Sequence, residues 1–488
     1  MDPTPLYRRL ASHYREAIEA GTLTTGDRFP SMRTLMTRHD ISLSTAVQVC
    51  RQLESDGWLD ARPRSGNFVR QPLRGRRTPL SEPPPGQALD PAQYVGINAR
   101  VSEFIARGRQ AQVKVNLSGA RCAPSLYPGE ALKNAATRAL RQDPDLLVKV
   151  SPHNGNLAFR NVLARRAMAN GMLIAAEDIV VTQGCIEALN LALRAVTQPG
   201  DIVAVESPTF HGLLQVLESQ GLRALEIPTS PQTGISLEAL ELATQTHESI
   251  AALVVVPHLQ NPLGSIMPEA HQARLVEFCA RHGIPLIEDD TYSALADGDA
   301  PLKALKAWDK TGNVIHCASL HKVLAPGLRL GWMSAGRWQG RVEMLKHVQS
   351  RNNEELSQQA ASHFMGSGGY DRHLRRLRVA LSNQREQAAA AVVNHFPAGT
   401  RLNQPRGGLS LWVELPGQLS SARLFDAALA EGILIAPGIM FSNSNRFAHF
   451  VRLNCGWPYS PEIDQAVKRL GQLCGALGDE HGKNGAAP

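Results

Sequence analysis

Between about Tyr94 and Leu477 the chain repeats one device: a short apolar run, a polar or glycine-bearing turn, then a stretch of helical period. DIVAVES, ALVVVP, IPLIED and NVIHCAS are such runs. The longest apolar run, Ile250–Val256, is far too short to cross a bilayer. Strand-like runs alternating with amphipathic helices read as an α/β fold around a mainly parallel sheet. Open parallel sheets bind ligands beyond the carboxyl ends of their strands. Here each run stops at a residue that can do chemistry.

The run Asp178–Val181 leads into TQGCIEALNLAL: a strand, a turn at Gly184, and a helix beginning near Cys185 and Ile186. Free backbone N–H groups at such a helix start suit a phosphate. DIVAVESPTFHG ends at Phe210, an aromatic that suits a ligand ring or a core. ALVVVPHLQNPLG brings Asn261 to a strand end, and IPLIEDDTYSAL brings Asp289 and, three residues on, Tyr292. NVIHCASLHKVLAPGLRLGW brings Ser319, Lys322 and Arg329. Arg452, in FVRLNC, could by itself be half of a structural ion pair. In order, these residues meet the demands of pyridoxal 5'-phosphate. The cofactor needs an amine for its aldehyde, a carboxylate for its ring nitrogen, donors for its ring oxygen, an aromatic for its ring face, and a helix start with cations for its phosphate.

The first sixth of the chain differs. Residues 1–77 carry thirteen Arg, no Lys and eight acids, a net +5, whereas the other 411 residues hold only +2 of the total +7. This asymmetry points to a polyanion partner or to a solvated basic face. Leu6, Leu10, Tyr14 and Ile18 predict a first amphipathic helix, broken at Gly21 and Gly26. Ser31 is the expected N-cap of a second helix running to about His39. After a break at Asp40–Leu43, a third helix is expected from near Ser44 to just before Gly57. Ala46, Val49, Cys50 and Leu53 form its apolar stripe. Ser44, Thr45, Gln48, Arg51 and Gln52 fall on the other face. WLDAR-PRSG-NFVR reads as two strands around a turn, a wing carrying Arg62 and Arg64. A tight turn and a third helix with an exposed polar face are the parts of a helix-turn-helix. Residues 71–93 hold six Pro and two Gly and read as a linker, reaching roughly 70 Å if extended as polyproline II.

With GDRFPSMRTL and SGNFV at its joints, the N-terminal segment resembles the GntR-type winged helix-turn-helix. That resemblance implies Arg33 and the wing arginines on phosphate or groove, with Ser44, Thr45 and Gln48 on base edges. Leu43 stands where the family often has Arg. The series E-x-P-x-F, Q-N-P-x-G, E-D-D-x-Y, S-x-x-K and G-L-R-L-G-W resembles the fold-type I aminotransferases. Carried over, it implies Lys322 as the covalent lysine, Asp289 on the pyridinium nitrogen, and Asn261 and Tyr292 on the ring oxygen. It implies Phe210 stacked on the ring; Ser319, Arg329 and Gly184–Ile186 on the phosphate; and Arg452 on a substrate carboxylate. Val150 stands where the family often has Tyr, Phe210 where a subgroup has Tyr, and Cys185 and His321 where Ser is frequent.

Together the halves resemble the MocR-type regulators. The resemblance implies domains at 1–70 (reader), 71–93 (linker) and 94–480 (large part about 150–345, small part about 94–149 plus 346–480). It implies a homodimer that binds a double-stranded DNA operator and senses a small amino compound, or pyridoxal 5'-phosphate itself, by forming an external aldimine. The rival expectation is a working aminotransferase with an accessory DNA-binding head. Seven scattered cysteines show no C-x-x-C spacing, which argues against a disulfide framework or a zinc ribbon. With no apolar leader at the N-terminus, the expected location is the cytoplasm, away from any membrane.

Overall fold

The computed structural model describes residues 5–20, 22–24, 26–55, 58–62, 66–69, 77–83, 90–246 and 249–484. The chain divides into two compact units, Met1–Arg76 and Arg77–Pro488.

The first unit holds helices α1 (Leu6–Glu19), α2 (Met32–His39) and α3 (Leu43–Ser55), then strands β1 (Leu59–Arg62) and β2 (Gly66–Val69), paired antiparallel. Its core gathers Tyr14, Ile18, Leu35, Ala46, Val49, Leu53, Leu59 and Val69. The α1 stripe therefore buries its second half, while Leu6 stays half exposed. Ser31 caps α2 as expected, its Oγ accepting the Thr34 N–H at 3.2 Å. Asp40 turns left-handed at φ 47° and ends α2. α3 begins at Leu43, one residue before its expected start, because Ser42 supplies the cap: its Oγ accepts the Thr45 N–H at 3.2 Å. The Tyr14 hydroxyl meets His39 Nε2 at 2.8 Å and joins α1 to α2. The segment before α2 also pairs with the wing, through an antiparallel bridge between Arg28 and Phe68.

In the second unit the strands follow as β3 (Gln93–Tyr94), β4 (Val115–Asn116), β5 (Val180–Thr182), β6 (Ile202–Ser207), β7 (Arg223–Ser230), β8 (Gly234–Ile235) and β9 (Ala252–Val255). Next come β10 (Leu286–Asp289), β11 (Val314–Ser319), β12 (Gly331–Ser334), β13 (Arg401–Leu402), β14 (Ser410–Glu414), β15 (Ile433–Leu434), β16 (Ala436–Pro437) and β17 (Phe450–Asn454). The main sheet runs β3-β7-β6-β9-β10-β11-β12-β5, with β8 on β7. β7, β6, β9, β10 and β11 are mutually parallel. β12 is antiparallel to both β11 and β5, so β5 points the same way as the parallel set. A smaller antiparallel sheet, β13-β14-β17-β16, surrounds the buried Trp412 and Phe441, and β4 pairs with β15.

The expected 71–93 linker is shorter than its proline content suggested. Leu80 is buried in the main core, the Thr78 carbonyl accepts the Leu402 N–H at 3.1 Å, and Arg77 pairs with Glu386 at 2.7 Å. Gln93–Tyr94 adds an edge strand to β7. One buried leucine and a strand's worth of hydrogen bonds hold a proline-rich segment that composition alone reads as free. Residues 71–76 and 84–89 of the expected linker lie outside the described residues.

Candidate functional site

β5, β6, β9, β10 and β11 deliver their functional side chains to one edge of the sheet because they run in one direction. The ten residues expected to hold the cofactor line a single cavity: Gly184, Cys185, Ile186, Phe210, Asn261, Asp289, Tyr292, Ser319, Lys322 and Arg329. Val256, Thr291 and His321 are among its other lining residues.

At one end, the chain leaves β5 and enters helix Cys185–Val196 through Gly184, whose φ of 88° favours a residue without Cβ. The Arg329 guanidinium lies against this turn and donates to the Gln183 carbonyl at 3.1 Å. Ser319 Oγ and His321 Nδ1 lie 3.2 Å apart. Burial, then the Lys322 and Arg329 charges, bring His321 down to about 3, so its imidazole is neutral. A helix start, a guanidinium and a hydroxyl form a cradle for a phosphate.

Asp289 sits buried at the end of β10. Its Oδ1 accepts the Thr291 hydroxyl at 2.6 Å, the Thr291 N–H at 3.1 Å and the Cys185 thiol at 3.2 Å. Burial pushes this carboxyl up while the Thr291 and Cys185 donors oppose the rise. A buried carboxylate so placed is best satisfied by a cationic N–H.

Lys322 follows β11 and is only 8% exposed. Its Nζ donates to the Ala120 carbonyl and lies 5.8 Å from the centre of the Tyr292 ring. Burial, then the Arg452 charge, lower its ammonium to about 8. A sizeable neutral fraction therefore exists near neutral pH, as an amine nucleophile requires. Asn261 Nδ2 lies 3.5 Å from the Tyr292 hydroxyl, so both donors face one side of the cavity. Phe210 is half-buried before helix His211–Ser219, and a Cβ on Gly212 would fall 2.5 Å from its ring.

Arg452 lines a second cavity, which shares Phe210, Tyr292 and Lys322 with the first. Its Nη1 donates to Asn261 Oδ1 at 3.0 Å and its Nη2 to the Ser118 carbonyl at 2.6 Å. Among the described residues it has no carboxylate partner, and its buried Nε has no partner at all. Of the two readings open in the sequence, the structural ion pair is thus absent. The residues present fit pyridoxal 5'-phosphate in charge and donor type at each position, and an anion-binding arginine lies beside the lysine. Thr291 and the Ala120 and Ser118 carbonyls were not foreseen. Thr291 sits inside the quoted EDDTY, but the carbonyls lie some 200 residues from Lys322 and about 330 from Arg452 and leave no local signal. Val150 is 85% exposed and takes no part in either cavity.

In the first unit, Arg33, Ser44, Gln48 and Arg51 are exposed or half-buried on the surface, as is Thr45. The Ser44 and Thr45 hydroxyls lie 2.8 and 2.9 Å from Ser42 Oγ. Each keeps hydrogen-bonding capacity outward. Leu43 is 55% exposed at the start of this face. The Arg62 side chain and all of Arg64 lie outside the described residues. Arg28, exposed and bridged to the wing, joins the same basic unit.

Comparison with known proteins agrees with both halves. Residues 6–69 match the bacterial regulatory proteins of the gntR family, and residues 124–470 match aminotransferase class I and II. An uncharacterized HTH-type transcriptional regulator of Escherichia coli, YdcR, is 36% identical over 96% of this chain and 98% of its own. A second from the same organism, YjiR, is 34% identical over the same shares. Among solved structures, LysN, the alpha-aminoadipate aminotransferase of Thermus thermophilus, complexed with N-(5'-phosphopyridoxyl)-L-leucine, superposes with a TM-score of 0.71 at 28% identity. The match covers 78% of this chain and 96% of that one. Among the described residues no helix is long and apolar enough to cross a membrane. The chain belongs to the MocR-type transcriptional regulators, in which a GntR-family winged helix-turn-helix is joined to a class I and II aminotransferase domain.

Proposed function

We propose that this regulator reads an amino compound at Lys322 and conveys its presence to an operator-binding head. When bound, pyridoxal 5'-phosphate supplies an aldehyde for which Lys322 and an incoming primary amine compete. Asp289 would hold the ring nitrogen's proton, Asn261 and Tyr292 would orient the ring oxygen, and Phe210 would cover the ring face. Gly184–Ile186, Ser319 and Arg329 hold the phosphate. Arg452 orients a carboxylate next to the exchanging amine. The observation that carries the reading is the pair of cavities meeting at Lys322, one lined by the residues suited to the cofactor and one lined by Arg452, whose buried Nε has no partner among the described residues. The solved structure of a related aminotransferase holding a phosphopyridoxyl amino acid supports it.

With the cofactor bound and an amine in its place, Lys322 would be a free basic amine, and its contacts with the Ala120 carbonyl and the Tyr292 ring would differ from those it makes here. An effector with different affinity for the two states shifts their populations. In the head, Arg33 and the wing arginines Arg62 and Arg64 contact phosphates of double-stranded DNA, while Ser44, Thr45, Gln48 and Arg51 face the groove. The working form is a cytoplasmic homodimer. The test is a titration of amino compounds into the cofactor-loaded protein, following the cofactor absorbance band and the affinity for DNA upstream of its own gene. Spectral change coupled to altered affinity is expected. Spectral change that never alters DNA binding contradicts the regulatory reading. Rapid, complete single-turnover release of a keto acid favours the enzyme reading, which the intact set of Lys322, Asp289 and Arg452 also permits.

A further inference from the structure

We infer that the effector is an α-amino acid with an apolar side chain, seated against helix Asn98–Gln110. The inference rests on the amine-exchange reading above and narrows its ligand.

The cavity beside Lys322 measures about 340 Å³. That is near the lower end of the roughly 300–1,000 Å³ typical of small-molecule sites, and suits one amino acid rather than a peptide. Lys322 and Arg452 both line it, near enough for the Arg452 charge to act on the Lys322 ammonium, so a small ligand can present an amine to one and a carboxylate to the other. Its lining includes an apolar stretch of Phe104, Ile105, Phe425, Leu434 and Met440, with Asn116 and Ser118 as neutral polar neighbours. The Phe104 and Phe425 rings meet edge to face at 4.8 Å, which fixes the wall. Leu434 packs so tightly on helix Asn98–Gln110 that a Cβ on Gly108 would come within 3.0 Å of it.

Charge decides among ligand classes. No Asp or Glu among the described residues lines the cavity, so a basic side chain finds no counter-ion. His211, also on the wall, is held at about 4 by burial, then by the Arg452 charge, and is neutral. The remaining cation of the lining, Arg109, is exposed, so water screens it. An acidic side chain would leave water to lie against two phenylalanines and a leucine. An ω-amino acid without a side chain would leave the apolar wall uncovered. Each methylene removed from water is worth about fourfold in affinity. Leucine then exceeds alanine by on the order of 50-fold.

The test uses full-length protein loaded with pyridoxal 5'-phosphate. Affinities for L-leucine, L-phenylalanine, L-alanine, L-glutamate, L-lysine and 4-aminobutyrate are measured by calorimetry and by the cofactor band. Leucine or phenylalanine is expected to bind at least tenfold more tightly than each of the last four. Ile105 is 39% exposed, so Ile105→Glu is tolerated by the fold. It is expected to erase the preference of leucine over alanine. Glutamate, lysine or 4-aminobutyrate binding as tightly as leucine overturns the inference, as does an Ile105→Glu variant with the preference intact. A protein that takes up no borohydride-trappable cofactor at Lys322 overturns the amine-exchange reading and this inference with it. A loaded protein with no side-chain preference overturns this inference alone.

Discussion

Arg452 Nη1 donates to Asn261 Oδ1 at 3.0 Å, a bond between the small sheet and the loop after β9 in the main sheet. The same Asn261 offers its amide nitrogen toward Tyr292 at 3.5 Å. One side chain thus touches both Arg452, on the wall of one cavity, and Tyr292, which the two cavities share.

Asn261→Ala is therefore expected to weaken cofactor and effector together, not cofactor alone. A double-mutant cycle with Arg452→Lys, read in effector affinity, should show a coupling of about 0.5–3 kcal/mol, as for residues in one hydrogen-bond network. Simple additivity would mean that the bond does not link the two cavities.

Asp289→Asn keeps the shape of the β10 terminus and its bond from Thr291, but removes the charge. A hydrogen bond to a charged group contributes about 1.5–3 kcal/mol. Cofactor affinity measured by equilibrium dialysis should fall roughly 10- to 100-fold. Cys185→Ala removes one of three donors and should have a much smaller effect.

The Lys322 contribution to the stability of the cofactor-free protein, read as the difference between wild type and Lys322→Met, should grow as pH rises from about 8 to about 10.4, while the buried thiols, whose titration burial pushes up, pull the total the other way. The Lys322 ammonium is lowered to about 8 in the folded chain, by burial and then by Arg452. In the unfolded chain it titrates near 10.4. Between these values the unfolded state binds more protons, so unfolding becomes less favourable with rising pH. The contribution across the window is about 3 kcal/mol, an order-of-magnitude figure. Lys322→Met should flatten this part of the stability–pH curve in chemical denaturation, and an unchanged curve would remove Lys322 as its source.

Arg33→Ala should weaken binding to DNA of any sequence and reduce the slope of log affinity against log salt by about one phosphate contact. Its cofactor spectrum should be unchanged, because Arg33 lies in the other compact unit. Ser42→Ala should instead lower the melting temperature of the head, since an N-cap contributes about 1 kcal/mol.

That Lys322, Asp289 and Asn261 come together in one cavity was legible because each follows an apolar run, and parallel strands carry such ends to one edge. Lys322, Asp289 and Asn261 needed no knowledge of distant contacts. Arg452 was ambiguous because its role depends on what does not pair with it, and only the placed side chains show Nε without a partner. The wall at Phe104, Ile105 and Leu434 was invisible because residues more than about 320 apart in sequence assemble it through β4 and β15. The linker was overread for a related reason. Proline content reports backbone stiffness, whereas the docking of residues 77–83 depends on Leu80 finding a distant core. The α3 start was misplaced by one residue because Ser42 lies in a stretch that reads as a break until its hydroxyl is seen to cap the helix.

The most direct measurement is borohydride reduction of the full-length protein after incubation with pyridoxal 5'-phosphate, followed by peptide mass spectrometry. The expected result is a single phosphopyridoxyl adduct on the peptide bearing Lys322, lost when L-leucine is added before reduction. Adducts scattered over exposed lysines with Lys322 unmodified would contradict the account.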